Sequence, residues 1–346
     1  MVLVCFTVSN LDALSFRAML NVLWQTTLIG VVPMRMLVVP SNRPESLKAF
    51  FEEWEGRGGW DKVCLVEDAP ECSDQAAGVA LEFGALHFSH KEIAETAGES
   101  AWVFSKRDSA IRCFGFLMAW RAGMDVLTLD DDCFPVREME PGAFNLVRGH
   151  AEGSTHSKWK SSVPGMRVRG LPYVNLGVLK TDVNVGLWTG VPDLDGPHGL
   201  VAPVKDFAPP PGNRIVPAGQ HVPVCGMNLF IRHRALPMAY FPLMGEGQPY
   251  RRFDDIWAGI ILKRGLDELG WHLSVGEPFV EHRRASVHDG ILDSDELLAV
   301  RRLAGHGAPA IRAGRTVLAR CRAVYNRSAL LAAFILLQLG HTPDEV

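Results

Sequence analysis

The most constraining feature of this sequence is an apolar run that leads directly into three adjacent acids, in the stretch DVLTLDDDC at residues 125–133. The uninterrupted run from Val126 to Leu129 predicts a buried central strand of a parallel sheet, whose C-terminal end opens on a ligand crevice. Three neighbouring carboxylates repel one another. A hard cation such as Mg²⁺ or Mn²⁺ would remove this repulsion, because it takes carboxylate oxygens as ligands and shares its remaining coordination positions with substrate phosphates. A solvated acidic turn would explain the same residues without a metal.

Composition excludes several classes of protein. The chain has 346 residues, enough for one large α/β domain or two small ones, and its formal net charge of −4 argues against nucleic acid as a main partner. The seven cysteines are scattered without a C-x-x-C pair, which favours a reducing compartment and argues against a zinc site. No segment reaches the roughly 18 uncharged apolar residues of a membrane-spanning helix, and the start lacks a basic leader, so we expect neither a membrane-spanning helix nor a secretion signal.

The first half of the chain alternates between strand and helix patterns. Strands are predicted at residues 36–40, 62–66 and 126–129, and helices at residues 45–54 and 109–122. Alternation of this kind predicts an α/β fold with a mostly parallel central sheet, of the type that binds nucleotides. The segment between the second strand and the second helix gives no clear pattern.

The second half has a different texture. Residues 134–225 are rich in Gly and Pro and predict short strands at best, so we expect this half to be irregular. A helix is predicted to open at Phe253 and to continue through Leu269. We therefore divide the chain into an N-terminal extension (1–33), an α/β domain (34–290) and a C-terminal helical tail (291–346).

Candidate site residues gather around the predicted strand ends. Asp130 and Asp132 are the predicted metal ligands, and His282 is the natural third protein ligand, although a surface histidine is an alternative. Asp254 and Asp255 are either helix caps or residues that contact a sugar hydroxyl or act as a general base. Contacts to the nucleotide are predicted from residues near the strand and loop ends, namely Ser41, Arg43, Asp68, Lys106, Asp108, Arg112 and Asp131.

Several longer motifs occur in a characteristic order. They are SKRDSAIRCFG (105–115), LDDDCF (129–134), VRGLP (168–172), GLW (186–188), VPDLD (191–195), CGMNL (225–229), MGEGQP (244–249), RFDDIWAG (252–259), and His282 with Ala285-Ser286. Together they resemble the reversibly glycosylated polypeptide family, the UDP-arabinopyranose mutases, over about residues 36 to 290. The family core is GT-A-like, and a strand-end D-x-D is the metal and nucleotide-diphosphate signature of that fold.

The resemblance implies an enzyme of the cytosol that interconverts UDP-arabinopyranose and UDP-arabinofuranose with a divalent metal, Mn²⁺ or Mg²⁺. It also implies reversible self-glycosylation on the arginine of the R-G-x-P motif, which is Arg169 here. The family has a second functional arginine seven residues later, and that position is Leu176 here. A homo- or hetero-oligomer is expected.

The chemistry needs a carboxylate near Arg169, because a guanidinium stays protonated in water and is a poor nucleophile. The candidates are Asp193, Asp195, Asp254 and Asp255. Two other hypotheses stay open: a metal-dependent glycosyltransferase that acts on a separate acceptor, and an inactive UDP-sugar-binding subunit, which the leucine at 176 would suit.

Overall fold

The structure is a computed structural model that describes residues 34–137, 145–153, 155–157, 178–192, 207–244, 247, 254–283, 294–315, 335–336 and 338–340. Two compact units divide it, the first formed by Met1–Trp188 with Pro209–Glu281 and the second by Thr189–Ala208 with His282–Val346. Arg169, Asp193 and Asp195 lie outside the described residues, as do Leu176 and the proposed extension at 1–33.

The described strands are β1 (Arg35–Ser41), β2 (Lys62–Glu67), β3 (Leu86–Phe88), β4 (Asp125–Leu129), β5 (Cys133–Pro135), β6 (Thr155–Ser157), β7 (Val178–Lys180), β8 (Val183–Gly190), β9 (Arg214–Ile215), β10 (Asn228–Ile231) and β11 (Leu273–His282). The described helices are α1 (Pro44–Trp54), α2 (Asp74–Glu82), α3 (His90–Ala97), α4 (Cys113–Arg121), α5 (Leu146–Gly153), α6 (Asp254–Leu269) and α7 (Ser294–Arg312). Short 3₁₀ turns occupy Gly98–Val103, Ser109–Arg112 and His233–Met238.

Parallel strands form one half of the main sheet, in the order β3-β2-β1-β4. Alternate residues of β1 enter two different cores: Val38 packs with α4 on one face, and Leu37 packs with α1 on the other. Burial on both faces explains why these strands read as continuous apolar runs. The predicted α/β fold is confirmed, as are the three predicted strands, which are β1, β2 and β4, and the two early helices, the second of which begins as the 3₁₀ turn Ser109–Arg112. The sheet is parallel in this half only, so the expectation of a mostly parallel sheet is too broad. The carboxyl ends of β1, β2 and β4 share one edge.

Antiparallel strands extend the sheet beyond β4. β10 pairs antiparallel with both β4 and β8, and the full order continues through β11 to β5. The eight-residue β8 lies in a region where we expected short strands at best. Its sequence, VNVGLWTG, carries Asn and Gly, which are depleted in strands and so weaken the pattern.

A buried polar network explains how this half tolerates those residues. His150 on α5 contacts Asn228 (Nε2–Oδ1, 2.8 Å) and Asn184 (Nδ1–Nδ2, 2.8 Å). Ser274 donates to Asn184 at 2.6 Å, and Asn228 donates to the carbonyl of Pro278 at 2.8 Å. Burial lowers the pKa of His150 to about 4, so the imidazole stays neutral inside the protein.

The segment that gave no clear pattern contains α2, β3 and α3. Both helices are short and depend on their caps: Ser73 accepts from the backbone N–H of Ala76, and Ser89 forms a capping box with Glu92. The S-x-x-E spacing was the available signal for α3. Among the described residues no helix has both the length and the hydrophobicity needed to cross a lipid bilayer.

Candidate functional site

The three acids follow β4 directly and form the turn into β5, closed by a hydrogen bond from the Cys133 N–H to the Asp130 carbonyl (3.1 Å). Asp131 is 2% exposed and Asp132 is 8% exposed, whereas the Asp130 side chain is 29% exposed. The position at the end of a buried strand agrees with the sequence prediction. Asp131 and Asp132 are more deeply buried than the side chains of a solvated surface turn would be.

Asp131 points into the protein and fastens the end of β4 to the β1–α1 turn. Its carboxylate accepts from the hydroxyls of Ser41 (2.5 Å) and Ser46 (3.2 Å) and pairs with the guanidinium of Arg43. Burial raises the pKa of Asp131, and the hydrogen bonds from Arg43 and Ser41 oppose that rise. These contacts give Ser41 and Asp131 a structural task, and their contact with a nucleotide stays a prediction.

Asp130 is oriented by a buried arginine. Arg112 is 1% exposed, and its Nη2 lies 2.6 Å from Asp130 Oδ1 while Nη1 donates to Thr128 Oγ1 at 3.0 Å. The same Nη1 reaches the carbonyl of Gly226 at 2.5 Å, where a Cβ on the glycine would collide with the guanidinium. Arg112 therefore connects the 3₁₀ turn, β4 and the loop before β10, and it holds one of the predicted metal ligands in place.

The donor set at this turn fits a hard divalent cation. One oxygen of Asp130 already contacts the guanidinium of Arg112, and one oxygen of Asp132 contacts the guanidinium of Arg43 at 3.2 Å. Three carboxylates against two guanidinium groups leave one net negative charge, which favours a divalent cation, and the cation's remaining positive charge favours a diphosphate. Carboxylate oxygens are the ligands that Mg²⁺ and Mn²⁺ prefer.

His282, the third predicted ligand, belongs to the second unit. Its Nδ1 lies 2.7 Å from the carbonyl of Val191, and the Val191 N–H donates to the His282 carbonyl at 3.2 Å. A carbonyl only accepts, so Nδ1 carries the proton and the lone pair is on Nε2, as in most metal-binding histidines. Its pairing with the aspartates stays a prediction.

Asp68, after β2, organises the loop at residues 106–108. Its carboxylate accepts from the backbone N–H groups of Arg107 and Asp108, each at 2.9 Å, and contacts His90 Nε2 at 2.7 Å. Arg107 has the left-handed backbone angle φ 57°, which such contacts must compensate. Lys106 and Arg107 are exposed, so the loop presents basic side chains to solvent.

A pair of buried carboxyl groups lies beside this loop. Asp108 Oδ1 caps the 3₁₀ turn by accepting from the Ala110 N–H (3.0 Å), while Oδ2 is buried and has no hydrogen-bond partner among the described residues. Asp254, in the first turn of α6, is 5% exposed and accepts from Ser109 Oγ at 3.1 Å.

The two carboxyl groups interact electrostatically. Burial and the negative charge of Asp254 raise the pKa of Asp108 to about 7. Burial also raises the pKa of Asp254, and the charge of Arg112 opposes that rise. An acid whose pKa lies near neutral pH can both donate and accept a proton there, which is the property that general acid–base catalysis uses.

These contacts distinguish Asp254 from Asp255, two of the four carboxylates that are candidates for the reaction at Arg169. Asp255 is half-buried and accepts from the adjacent Ile256 N–H (2.7 Å), which is a helix-terminal contact. Asp254 is the member with a buried acidic partner, and Asp193 and Asp195 are outside the described residues. The sequence identified Asp108 and Asp254 separately but gave no signal that they meet, because they are distant in the chain.

Comparisons with known proteins agree on a family. The model of the family described as "Reversibly glycosylated polypeptide" matches residues 35–295. UDP-arabinopyranose mutase 3 of Arabidopsis thaliana is 31% identical over 265 residues, covering 72% of this chain and 70% of that protein. The probable UDP-arabinopyranose mutase 1 of Pisum sativum is 34% identical over 265 residues, with the same two coverages.

A solved structure also shows a distant likeness. Glucosyl-3-phosphoglycerate synthase from Mycobacterium tuberculosis, in complex with Mn²⁺, UDP and glucosyl-3-phosphoglycerate, is 12% identical, with a TM-score of 0.38. The match covers 83% of this chain and 82% of that one. A likeness of this strength carries no weight for the function of this chain.

Proposed function

The chain belongs to the reversibly glycosylated polypeptide family, and from that membership we propose that it is a UDP-sugar mutase that interconverts UDP-arabinopyranose and UDP-arabinofuranose. The structural observation that supports this most is the buried pair Asp108 and Asp254, which lies beside the Arg112–Asp130 link at the end of β4. Asp130 directly follows the carboxyl end of β4, which is the edge where open α/β sheets bind ligands, and this supports a ligand-binding role for the residues around it.

Asp108 and Asp254 suit the proton transfers that the proposed reaction requires. Changing a six-membered ring to a five-membered ring protonates the old ring oxygen and deprotonates the hydroxyl that becomes the new ring oxygen. One proton therefore moves between two oxygens of the sugar, with no net gain or loss. A carboxyl and a carboxylate that share a proton can donate at the first oxygen and accept at the second. In this proposal Asp254 and Asp108 take these roles.

Arg169 is the proposed acceptor of the sugar. A guanidinium nitrogen would attack the anomeric carbon as the bond to UDP breaks, and the proton lost from the guanidinium would go to a carboxylate. Asp193 and Asp195 are the nearest candidates in sequence, and Asp254 is the candidate with a raised pKa. Return of UDP would release the rearranged sugar and restore the arginine.

The remaining site residues would bind UDP and its metal. Asp130, Asp132 and His282 would hold Mn²⁺ or Mg²⁺, which when bound supplies positive charge to the departing diphosphate. Arg43 and Lys106 would contact the nucleotide directly. Ser41, Asp68, Arg112 and Asp131 would keep those groups in position through the contacts already described. A cytoplasmic location and assembly into oligomers belong to the same proposal, from the family resemblance.

The test is to incubate the purified full-length protein with UDP-arabinopyranose and Mn²⁺, and to analyse nucleotide sugars by chromatography and the protein by intact mass. We expect the furanose product without an added acceptor, together with a pentose on the peptide that contains Arg169. Product that appears only with an acceptor would select the glycosyltransferase hypothesis. UDP binding without product would select the inactive subunit.

Variants assign the roles. Asp254→Asn should lower turnover by roughly 10²- to 10⁴-fold, the usual contribution of a general acid or base, while UDP affinity stays within a few fold. Arg169→Lys should also keep UDP affinity but lose the pentose adduct. Glu268→Gln, which removes only an exposed pair with Arg264 on the same helix as Asp254, is the matched control. If Arg169→Lys keeps full turnover, the arginine does not carry the sugar.

A further inference from the structure

Three metal-binding side chains meet at the ends of β2 and β3. Glu67 is the last residue of β2, His87 is the middle residue of β3, and Cys72 lies in the loop that leads to α2. One donor atom from each of the three lies within 4.8 Å of the other two. Parallel pairing of Leu65 with His87 brings the two strands into this register.

We propose that Glu67, Cys72 and His87 bind a zinc ion. A set of one thiol, one imidazole and one carboxylate suits the borderline-soft Zn²⁺, which takes S, N and O ligands, rather than the hard cations expected at Asp130 and Asp132. Search of the sequence for paired cysteines misses this site, because a single cysteine contributes and the other ligands come from separate strands.

The spacing needs only a small adjustment. Tetrahedral zinc with bonds of about 2.0–2.3 Å places its ligand atoms roughly 3.3–3.8 Å apart. Glu67 Oε2 and His87 Nε2 now lie 2.8 Å apart in a hydrogen bond, which the ion would replace. Glu67 is only 2% exposed, while Cys72 and His87 are half-buried, so the ion would enter from their side. A water completes the fourth position.

Local charge favours a cation here. Cys72 Sγ donates to Glu92 Oε2 at 3.2 Å, so two carboxylates flank the thiol. Within the described part of the chain, the ion pairs of Glu67 involve only His87. No Lys or Arg among the described residues forms an ion pair with Glu67, so a divalent ion would supply positive charge next to its carboxylate.

Zinc binding would release a proton. Burial, followed by the hydrogen bond to Glu92, raises the pKa of Cys72 to about 11, so the metal-free thiol is protonated at neutral pH. The ion must displace that proton to bind the thiolate, and the proton leaves to solvent. The reaction is Cys–SH plus Zn²⁺ giving Cys–S–Zn⁺ plus H⁺.

The ion would support the nucleotide site mechanically. Glu67 directly precedes Asp68, whose carboxylate holds the backbone of Arg107 and Asp108. Fixing the end of β2 to β3 would therefore fix the position of Asp68. The zinc proposal does not depend on mutase activity and is tested without it.

The experiment titrates chelator-treated, full-length protein with Co²⁺, a spectroscopic substitute for zinc, and then displaces it with Zn²⁺. A thiolate ligand gives a near-ultraviolet charge-transfer band, whereas the sulfur-free donors Asp130, Asp132 and His282 give none. We expect the band in wild type and its loss in Cys72→Ser and in His87→Gln, with circular dichroism confirming that both fold. Cys225→Ser, another half-buried cysteine, should keep the band.

Proton release gives a second measurement. A pH indicator should report that zinc binding to the wild type at neutral pH releases the proton of the Cys72 thiol, and this proton should be missing in the Cys72→Ser variant. Absence of the band in wild type would overturn the proposal. Persistence of the band in Cys72→Ser would overturn it equally, since the thiolate would then come from another cysteine.

Discussion

Replacing Asp108 by Asn should stabilise the protein at alkaline pH while it removes a residue that the proposed reaction needs. The Asn carbonyl can still accept from the Ala110 N–H and keep the cap of the 3₁₀ turn. Its amide group would face the buried side where Asp108 Oδ2 has no partner among the described residues, close to the charge of Asp254. The substitution therefore removes an unfavourable buried charge without removing the cap.

The magnitude follows from the pKa of Asp108. Burial and Asp254 raise it from 3.8 to about 7, and each tenfold change in proton affinity is worth 1.36 kcal/mol, so the ionised form costs roughly 4 kcal/mol above pH 7. The charges of Asp108 and Asp254 influence each other and Asp108 is only half-buried, so we expect a smaller gain of about 2–3 kcal/mol.

The pH dependence has a definite sign. An acid whose pKa is higher in the folded protein contributes its full stability below the unfolded pKa near 3.8 and loses it as the pH rises through about 7. The advantage of Asp108→Asn over wild type should therefore be complete at pH 8 and below about 1 kcal/mol near pH 4.

The assay is urea unfolding followed by tryptophan fluorescence at pH 8 and pH 4, together with turnover at pH 8. Asp74→Asn, in the exposed first turn of α2, is the matched control and should change stability by less than about 0.5 kcal/mol at either pH. If Asp108→Asn is no more stable than wild type at pH 8, or if its gain is the same at both pH values, Asp108 is not a strained buried acid.

Three further predictions concern the same half of the molecule. His150 should lower the free energy of unfolding by about 2 kcal/mol between pH 7.5 and pH 5, because its pKa of about 4 in the folded protein means that the imidazole is protonated only in the unfolded chain. Urea titrations should show this contribution as a change of about 2 kcal/mol in the difference between wild type and His150→Gln, since Asp108 acts in the opposite direction in both proteins. Gly226→Ala should cost about 1–3 kcal/mol by displacing Arg112, whereas calorimetry of Gly78→Ala, in an open position of α2, should show equal or greater stability. Asp132→Ala should abolish Mn²⁺-dependent UDP binding and keep the circular dichroism spectrum, and unchanged affinity in titration calorimetry would remove the acids from the metal site.

The sequence by itself was sufficient for features that depend on local pattern. β1, β2 and β4 are continuous apolar runs because both faces of the sheet are buried, and the three acids lie at the end of β4 where the run predicted them. α6 spans Asp254–Leu269, in agreement with the helix predicted from Phe253 through Leu269. The ordered motifs were enough to identify the family, which the family comparison confirmed.

Local pattern was insufficient where polar residues are buried in pairs. β8 and β10 carry Asn184 and Asn228, which weaken any strand prediction until His150 is seen to satisfy them. Arg112 was predicted to contact the nucleotide, and its burial against Thr128 and Gly226 could not be inferred from its neighbours in the chain.

Tertiary structure alone decided which acids act together. Asp108 and Asp254 come from a loop after β3 and from the first turn of α6, and Glu67 meets Cys72 and His87 only because β2 and β3 are adjacent in the sheet. The sequence determined the chemical identity of each group, since that is a property of the residue. The strand order and the packing of the helices determined the pKa values and the ligand sets, because these depend on distances and burial that are fixed only when remote segments come together.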